Sequence, residues 1–429
     1  MTTPSFSDLG LIEPLRRALL TENYLEPTPI QARAIPALLA GGDLLGIAQT
    51  GTGKTAAFAL PILQRLAGSR VPPGPRGVNV LILAPTRELA IQIDESFRTY
   101  GRHLKLRHAV VVGGVGLRPQ IVALARGVDI LVATPGRLLD HLNQRHVQLG
   151  NVSCLVLDEA DRMLDMGFIR DVRKIMAALP KQRQSLLFSA TMPAEVEKLA
   201  GQILHQPTRV EVTPKALTVD RVVQRVLFVD AARKTGLLGR LLMDAEMKRV
   251  LVFTRTKHRA NRVAEQLEKA GVAVDAIHGN KAQGARQRAL DRFRTGAARV
   301  LVATDIAARG IDVDGVTHVI NFELPNEPES YVHRIGRTAR AGAAGIALSF
   351  CDPSERAFLR DIERLTRRPM EVVDGRQWLS DMPVAPAADR SGASRPASRG
   401  AGQRPSADRD YGRAGASQRY RPAGRGRAA

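Results

Sequence analysis

The sequence has little cysteine. Its 429 residues include only Cys154 and Cys351, far apart and outside any Cys-x-x-Cys spacing. That excludes a zinc site built from cysteines and a disulfide framework, and it fits a reducing compartment. Both cysteines are expected to be core residues. Long apolar runs are also missing. The longest, such as Val80–Ala84, fall far short of the ~20 residues a membrane span needs. Met1–Leu20 has no continuous apolar stretch of the kind a secretory signal carries. An integral membrane protein is excluded, and a cytoplasmic location is expected. Negative charge is scarce too: 42 acidic residues face 63 Lys and Arg, for a net charge of +21. Such an excess points to a polyanionic partner, nucleic acid before membrane. What is present is ordinary for a folded chain, 44% apolar and 24% charged. The length suits two or three domains of about 150 residues each.

Short apolar runs recur, each ending in a polar or small-residue cluster. Leu44–Ile47 runs into a glycine-rich segment, Asn79–Ala84 into Pro85-Thr86-Arg87-Glu88, and Asp129–Ala133 into Thr134-Pro135-Gly136-Arg137. Ser153–Leu157 runs into Asp158-Glu159-Ala160-Asp161, and Ser185–Phe188 into Ser189-Ala190-Thr191. Continuous apolar runs suit parallel strands buried on both faces. Amphipathic stretches of helical length lie between them, including Ala56–Leu66, Arg87–Tyr100 and Ile169–Ala178. This is the alternation of an open α/β sheet. The design then repeats, with Val250–Phe253 before Thr254-Arg255, Val272–Ile277 before His278-Gly279, Val300–Ala303 before Thr304-Asp305, and Val319–Phe322 before Glu323. Ligands of open α/β sheets bind at the carboxyl ends of strands. Two sheets, each with a functional edge, are therefore expected, in domains 1–205 and 220–382 joined by a linker 206–219. Residues 383–429 hold ten arginines and three aspartates, with no lysine, glutamate, isoleucine or leucine. Such a basic tail cannot bury enough apolar surface to order itself and is expected to be disordered. Trp378, the only tryptophan, lies just before it and is expected to be a packing anchor.

Three elements carry chemistry. Ala48-Gln49-Thr50-Gly51-Thr52-Gly53-Lys54-Thr55 stands between a strand and a helix, the context of a P-loop. Glycines let backbone N–H groups close around phosphate, and the helix N-terminus adds positive potential. Lys54 suits the β- and γ-phosphates and Thr55 a Mg²⁺ ion. Asp158, at the end of a strand, is the second candidate Mg²⁺ ligand, and Glu159 is the candidate for orienting or deprotonating an attacking water. His333-Arg334-Ile335-Gly336-Arg337-Thr338-Ala339-Arg340 can supply guanidinium groups to a γ-phosphate in the transition state. If they come from the second domain, hydrolysis requires the domains to close.

Together these residues resemble the DEAD-box helicases of superfamily 2, and within them the bacterial RhlE-like subgroup. Phe6 and Tyr24–Gln31 are similar to the Q motif, Ala48–Thr55 to motif I, Pro85–Ala90 to Ia, Gly113-Gly114 to the glycine doublet, and Thr134–Arg137 to Ib. Asp158–Asp161 corresponds to motif II, Ser189–Thr191 to III, Val252–Arg255 to IV, Gln283–Arg286 to the Gln-x-x-Arg element, Ala303–Asp312 to V, and His333–Arg340 to VI. The resemblance spans about Phe6 to Val373. It implies two RecA-like domains in tandem, ATP and Mg²⁺ as cofactors, and single-stranded or short duplex RNA as a largely sequence-independent partner.

By resemblance, Gln31 pairs with adenine while Tyr24 stacks nearby, Asp312 touches the ribose, and Arg337 and Arg340 are arginine fingers. Ser189, Thr191, His333 and Arg334 couple nucleotide state to closure. Pro85, Thr86, Arg87, Gly114, Thr134, Gly136, Arg137, Arg255 and Thr304 line the RNA backbone track. Ala339 stands where glycine is common, which is tolerable if the backbone there avoids positive φ. His278 is as well explained as a structural histidine as by a place near the cleft. Proteins of ribosome assembly or RNA decay are compatible partners, and a monomer is expected. An ATP-gated RNA clamp uses the same site without needing duplex separation. A DNA translocase is the third reading, against which Gln31 and Asp161 argue.

Overall fold

The computed structural model describes residues 5–49, 51–68, 71–212, 222–308, 313, 315–339, 345–375 and 378. Thr50, Asp312, Arg340 and the tail from 383 lie outside the described residues. The apolar runs form strands with ends moved by one or two residues. The first seven are β1 (Leu44–Ile47), β2 (Val78–Leu83), β3 (His108–Val111), β4 (Val128–Ala133), β5 (Cys154–Leu157), β6 (Gln184–Ser189) and β7 (Thr208–Glu211). They form one sheet in the order β3-β4-β2-β5-β6-β1-β7. The second set is β8 (Val222–Phe228), β9 (Val250–Thr254), β10 (Val274–Ile277), β11 (Val300–Thr304), β12 (His318–Asn321), β13 (Gly345–Cys351) and β14 (Glu371–Val372). These form a second sheet, β10-β11-β9-β12-β13-β8-β14. Its inner order matches that of the first, as the repeated design predicts.

Every described pairing in both sheets is parallel, including β1 with β6, β2 with β5, and β9 with β11 and β12. All carboxyl ends of a sheet therefore share one edge. β2, β4 and β6 are buried at every position. Val80 and Ile82 enter one core with Phe58 and Phe97, while Leu81 and Leu83 enter another on the opposite face. This two-sided burial is why these strands read as unbroken apolar runs. The helix Arg87–Tyr100 shows the local logic. Thr86 caps it, its Oγ1 accepting from the Leu89 amide at 3.3 Å, and Leu89, Ala90, Ile93, Phe97 and Tyr100 make its buried stripe.

One boundary needs correcting. Thr208–Glu211, assigned from sequence to the linker, is an edge strand of the first sheet, paired in parallel with β1. Only Val210 of it is buried, so an edge strand this short leaves no apolar run to read. Cys154 and Cys351 are buried and unpaired. Trp378 packs against a core of the second half that includes Leu237 and Phe350, and its carbonyl accepts from Arg240 Nη1 at 3.1 Å. His278 is buried and its Nε2 lies 2.8 Å from Asn261 Oδ1. Among the described residues no helix is long and apolar enough to cross a membrane.

Candidate nucleotide site and nucleic-acid groove

The P-loop leaves β1 and turns into the helix Lys54–Gly68. Gly53 sits at φ +90°, and a Cβ there would come within 2.4 Å of Gln31 Nε2, so only glycine fits. The close approach is used. Gln31 Nε2 donates to the Gly53 carbonyl at 3.1 Å, and its Oε1 accepts from the Thr28 amide at 2.9 Å. The Q motif thus grips the phosphate loop directly. Ala48 donates its amide to Ser189 O at 3.0 Å, and Thr52 Oγ1 donates to Gln49 O at 2.7 Å.

A cavity of about 320 Å³ opens at this loop, with Tyr24, Gln31, Gly51, Gly53, Lys54, Thr55, Asp158 and Glu159 in its wall. Lys54 Nζ lies 3.9 Å from Asp158 Oδ1. Both atoms are buried, and neither has a hydrogen-bond partner. Burial pushes the Asp158 carboxyl up to about 6; the Lys54 ammonium pulls against it and the Glu159 carboxylate adds to it. Buried charges left without hydrogen bonds cost several kcal/mol. Such a pair is poised for a polyphosphate at Lys54 and a divalent cation at Asp158.

The residues after Asp158 link this site to the rest of the first sheet edge. Glu159 has φ +58°, an uncommon left-handed conformation for a non-glycine residue and the kind of strain found at functional sites. Its carboxylate is ion-paired with Arg162. Against the cost of burial, the cations Arg162, Lys54 and Arg337 hold it below the usual carboxylate range. Asp161 Oδ2 accepts from the amides of Ala190 and Thr191, at 3.1 and 2.8 Å, and from Thr191 Oγ1 at 2.9 Å. The Asp161 amide donates to Ser189 Oγ at 3.1 Å. Motifs II and III are therefore one hydrogen-bonded unit.

A second cavity, about 450 Å³, runs along the same edge and is walled by Pro85, Thr86, Arg87, Gly114, Thr134, Gly136 and Arg137, joined by Arg286 from the second half. Gly114, at φ +74°, lies under Arg87, where a Cβ would stand 2.0 Å from Nη1. Burial, with Arg286 and Arg137 nearby, lowers the Arg87 pKa from its ordinary value, while Glu88 works the other way. A groove holding guanidinium groups that repel one another favours a polyanion.

Arg255 and Thr304 do not line this groove. Arg255 Nη2 pairs with Glu355 at 3.1 Å and its guanidinium lies 5.7 Å from the Phe358 ring centroid. Thr304 is nearly buried at the end of β11. Arg334 is fully buried and binds Asp305 in bidentate fashion at 2.6 and 2.7 Å, with Asn321 Oδ1 at 3.1 Å. It joins motif V to motif VI. Arg337 Nε donates to the His333 carbonyl at 3.2 Å.

Sequence reasoning missed Glu88. It is buried, accepts from Gln283 Nε2 at 3.0 Å and pairs with Arg286 Nη2 at 2.9 Å. The first residue of that trio sits on a helix of the first half and the other two on a helix of the second, so they latch the halves together. Their spacing, Gln-x-x-Arg, was the available signal.

The condition set for Ala339 is not met. Its φ is +55°, a region that costs an L-residue roughly 1–2 kcal/mol. Ala339→Gly is expected to stabilise the second domain by about 1 kcal/mol, raising its thermal midpoint by ~2–4 °C. Calorimetry of both chains checks this; an unchanged or lower midpoint would mean that the backbone is not strained there.

Residues 28–199 match the DEAD/DEAH box helicase family model, and residues 233–342 the helicase conserved C-terminal domain. The chain is 45% identical over 369 residues to the DEAD-box ATP-dependent RNA helicase CshA of Bacillus subtilis, covering 86% of this chain and 74% of that one. It belongs to the DEAD-box family of ATP-dependent RNA helicases. Among solved structures, S. cerevisiae Dbp5 bound to RNA and ADP BeF3 matches with a TM-score of 0.78 at 33% identity, covering 87% of this chain and 96% of that one. A DEAD box protein of Methanococcus jannaschii matches with a TM-score of 0.52 at 38% identity, covering 86% and 99%. The less identical chain superposes better at nearly equal coverage.

Proposed function

We propose that this DEAD-box helicase couples RNA-stimulated ATP hydrolysis to closure of its two domains, separating short RNA duplexes or remodelling ribonucleoprotein. The observation that carries the reading is the orphaned pair Lys54 Nζ and Asp158 Oδ1, beside a cationic groove on the same sheet edge. Lys54 would hold the terminal phosphates, Thr55 and Asp158 a Mg²⁺ ion, Gln31 and Tyr24 the base, and Arg337 the charge on the γ-phosphate. The metal would supply charge neutralisation. Glu159, already held anionic by its neighbours, would orient the water. The RNA backbone would lie in the groove of Arg87, Gly114, Thr134 and Arg137, contacted through phosphates and hence with little sequence preference.

The test is the ATPase rate with no nucleic acid, with single-stranded RNA and with matched single-stranded DNA, using Lys54→Ala as the blank. Stimulation by RNA alone is the expected result. Equal stimulation by DNA would move the protein out of the RNA branch. RNA binding without turnover would leave a clamp.

The finer parts of the proposal have separate support. The RhlE-like placement rests on the motif series alone, while the Bacillus subtilis relative carries the CshA name. A cytoplasmic location draws on the two buried, unpaired cysteines. The Arg-rich tail is proposed as an auxiliary RNA tether. Deleting Pro383–Ala429 should leave turnover at saturating RNA nearly unchanged, weaken RNA affinity and flatten its salt dependence. Equal salt slopes would refute the tether.

A further inference from the structure

We propose that Gln120 and His141 are positioning residues for RNA binding: together they fix the loop 112–116, which carries Gly113 and Gly114, against the helix that carries Gly136 and Arg137. The inference rests on the RNA-binding reading of the groove above. Gly113, Gly114, Gly136 and Arg137 all wall that groove. Gln120 and His141 are not in its wall, and both are buried.

The loop joins β3 to the helix Leu117–Ala125. A loop has no hydrogen-bond ladder of its own, so side chains help set the course of its peptide units. Gln120 stands in the first turn of that helix. Its Nε2 donates to Val112 O at 3.1 Å and to Gly116 O at 3.2 Å. One amide thus ties both ends of the loop. Arg137 Nη1 holds it between them, donating to Val115 O at 3.1 Å. Arg87 presses on the same loop, since a Cβ at Gly113 would stand 3.1 Å from its Nη2.

The Gln120 Nε2 hydrogens are taken by carbonyls, so its Oε1 is left to accept. His141 Nε2, 3.3 Å from that oxygen, must therefore carry its hydrogen. Burial, with His146 and Arg137 nearby, holds the His141 pKa below the ordinary imidazole range, while Asp140 works the other way. The ring is thus a neutral donor. Its Nδ1 has no hydrogen-bond partner, and the His146 ring lies edge-on with centroids 5.5 Å apart. His141 and Arg137 stand four residues apart on the helix Pro135–Asn143, hence on one face of it. That helix holds the loop twice, directly through Arg137 and by way of Gln120 through His141.

Phosphate contacts depend on where such groups stand. Without Gln120 the two ends of the loop lose their tie, and carbonyl dipoles freed to turn toward the groove oppose a polyanion. Neither residue is in the wall of the nucleotide cavity, so the effect should fall on RNA and not on ATP.

The experiment compares the full chain with Gln120→Ala, Gln120→Glu, His141→Ala and His141→Gln. Affinity for a labelled single-stranded RNA is measured with AMP-PNP, beside ATP affinity without RNA and kcat at saturating RNA. Both alanine variants should bind RNA about tenfold more weakly, the scale of one or two hydrogen bonds, with the other two quantities within about twofold of native. Gln120→Glu, which keeps the shape but loses the donors, should be at least as weak, and it carries the test if an alanine variant does not fold. His141→Gln, whose amide can replace the Nε2 donor, should recover most of the affinity. The double alanine variant should be little weaker than Gln120→Ala, because the two act in series. Native RNA affinity in Gln120→Ala and Gln120→Glu, an equal fall in ATP affinity, a His141→Gln as weak as His141→Ala, or additive losses in the double variant would each overturn the proposal. A native chain whose RNA affinity does not rise with AMP-PNP would instead overturn the functional reading beneath it.

Discussion

Glu159→Gln is expected to bind ATP and RNA as the native chain does and to hydrolyse ATP at least ~100-fold more slowly, the scale set by loss of a positioned proton acceptor. The substitution preserves shape, so the strained left-handed turn and the neighbouring Asp158 keep their places. It removes the charge that Arg162, Lys54 and Arg337 stabilise. The amide neither orients a water as an acceptor on both sides nor takes its proton. ATP and RNA both favour the closed form, so a variant that closes without turning over should hold RNA for longer. Single-turnover phosphate release and the lifetime of the RNA complex in ATP measure the two halves of this expectation. Turnover at the native rate would remove Glu159 from the chemistry.

Glu88→Ala is expected to weaken ATP-dependent RNA binding by about 100-fold while leaving each domain folded. Removing one member of a buried ion pair costs about 3–5 kcal/mol, because the partner stays buried and unpaired. Here the cost falls on the closed form alone, where Arg286 Nη2 and Gln283 Nε2 meet the Glu88 carboxylate at 2.9 and 3.0 Å. With the halves apart, both partners are free to take water. A closure penalty near 3 kcal/mol gives the stated fold-change. Arg286→Ala and the double variant complete a cycle. Titrations of labelled RNA with and without AMP-PNP would show the loss only in its presence. Equal weakening in both conditions would place Glu88 in RNA binding itself rather than in the latch, and additive effects in the cycle would deny the direct pair.

The strands and the chemistry at their ends were legible because both follow from short-range constraints. A strand buried on both faces must be apolar throughout, as β2, β4 and β6 largely are. A phosphate loop must have glycine where a side chain would strike Gln31, as at Gly53. The cap and stripe of Arg87–Tyr100 lie within one helix, and that helix was read with its observed ends. Two strands at sheet edges carried no such signal. β7 buries one residue, and β14 is two residues long with both exposed.

Pairings between distant residues were not legible, since spacing along the chain does not say which carboxylate a guanidinium will meet. Arg255 was expected to face RNA, and nothing in its spacing announced Glu355 and Phe358 as its neighbours in the fold. Glu88 looked like one acid in a motif until Gln283 and Arg286 closed on it from nearly two hundred residues away. Ala339 could be judged only from its φ, which belongs to the folded backbone. Two parallel α/β sheets, a phosphate loop, an acidic strand end and a basic surplus were all written in the residue order, because burial and backbone sterics act residue by residue. Which charges neutralise which was settled in three dimensions, because Coulomb attraction depends on distances that exist only once both sheets are built and set together.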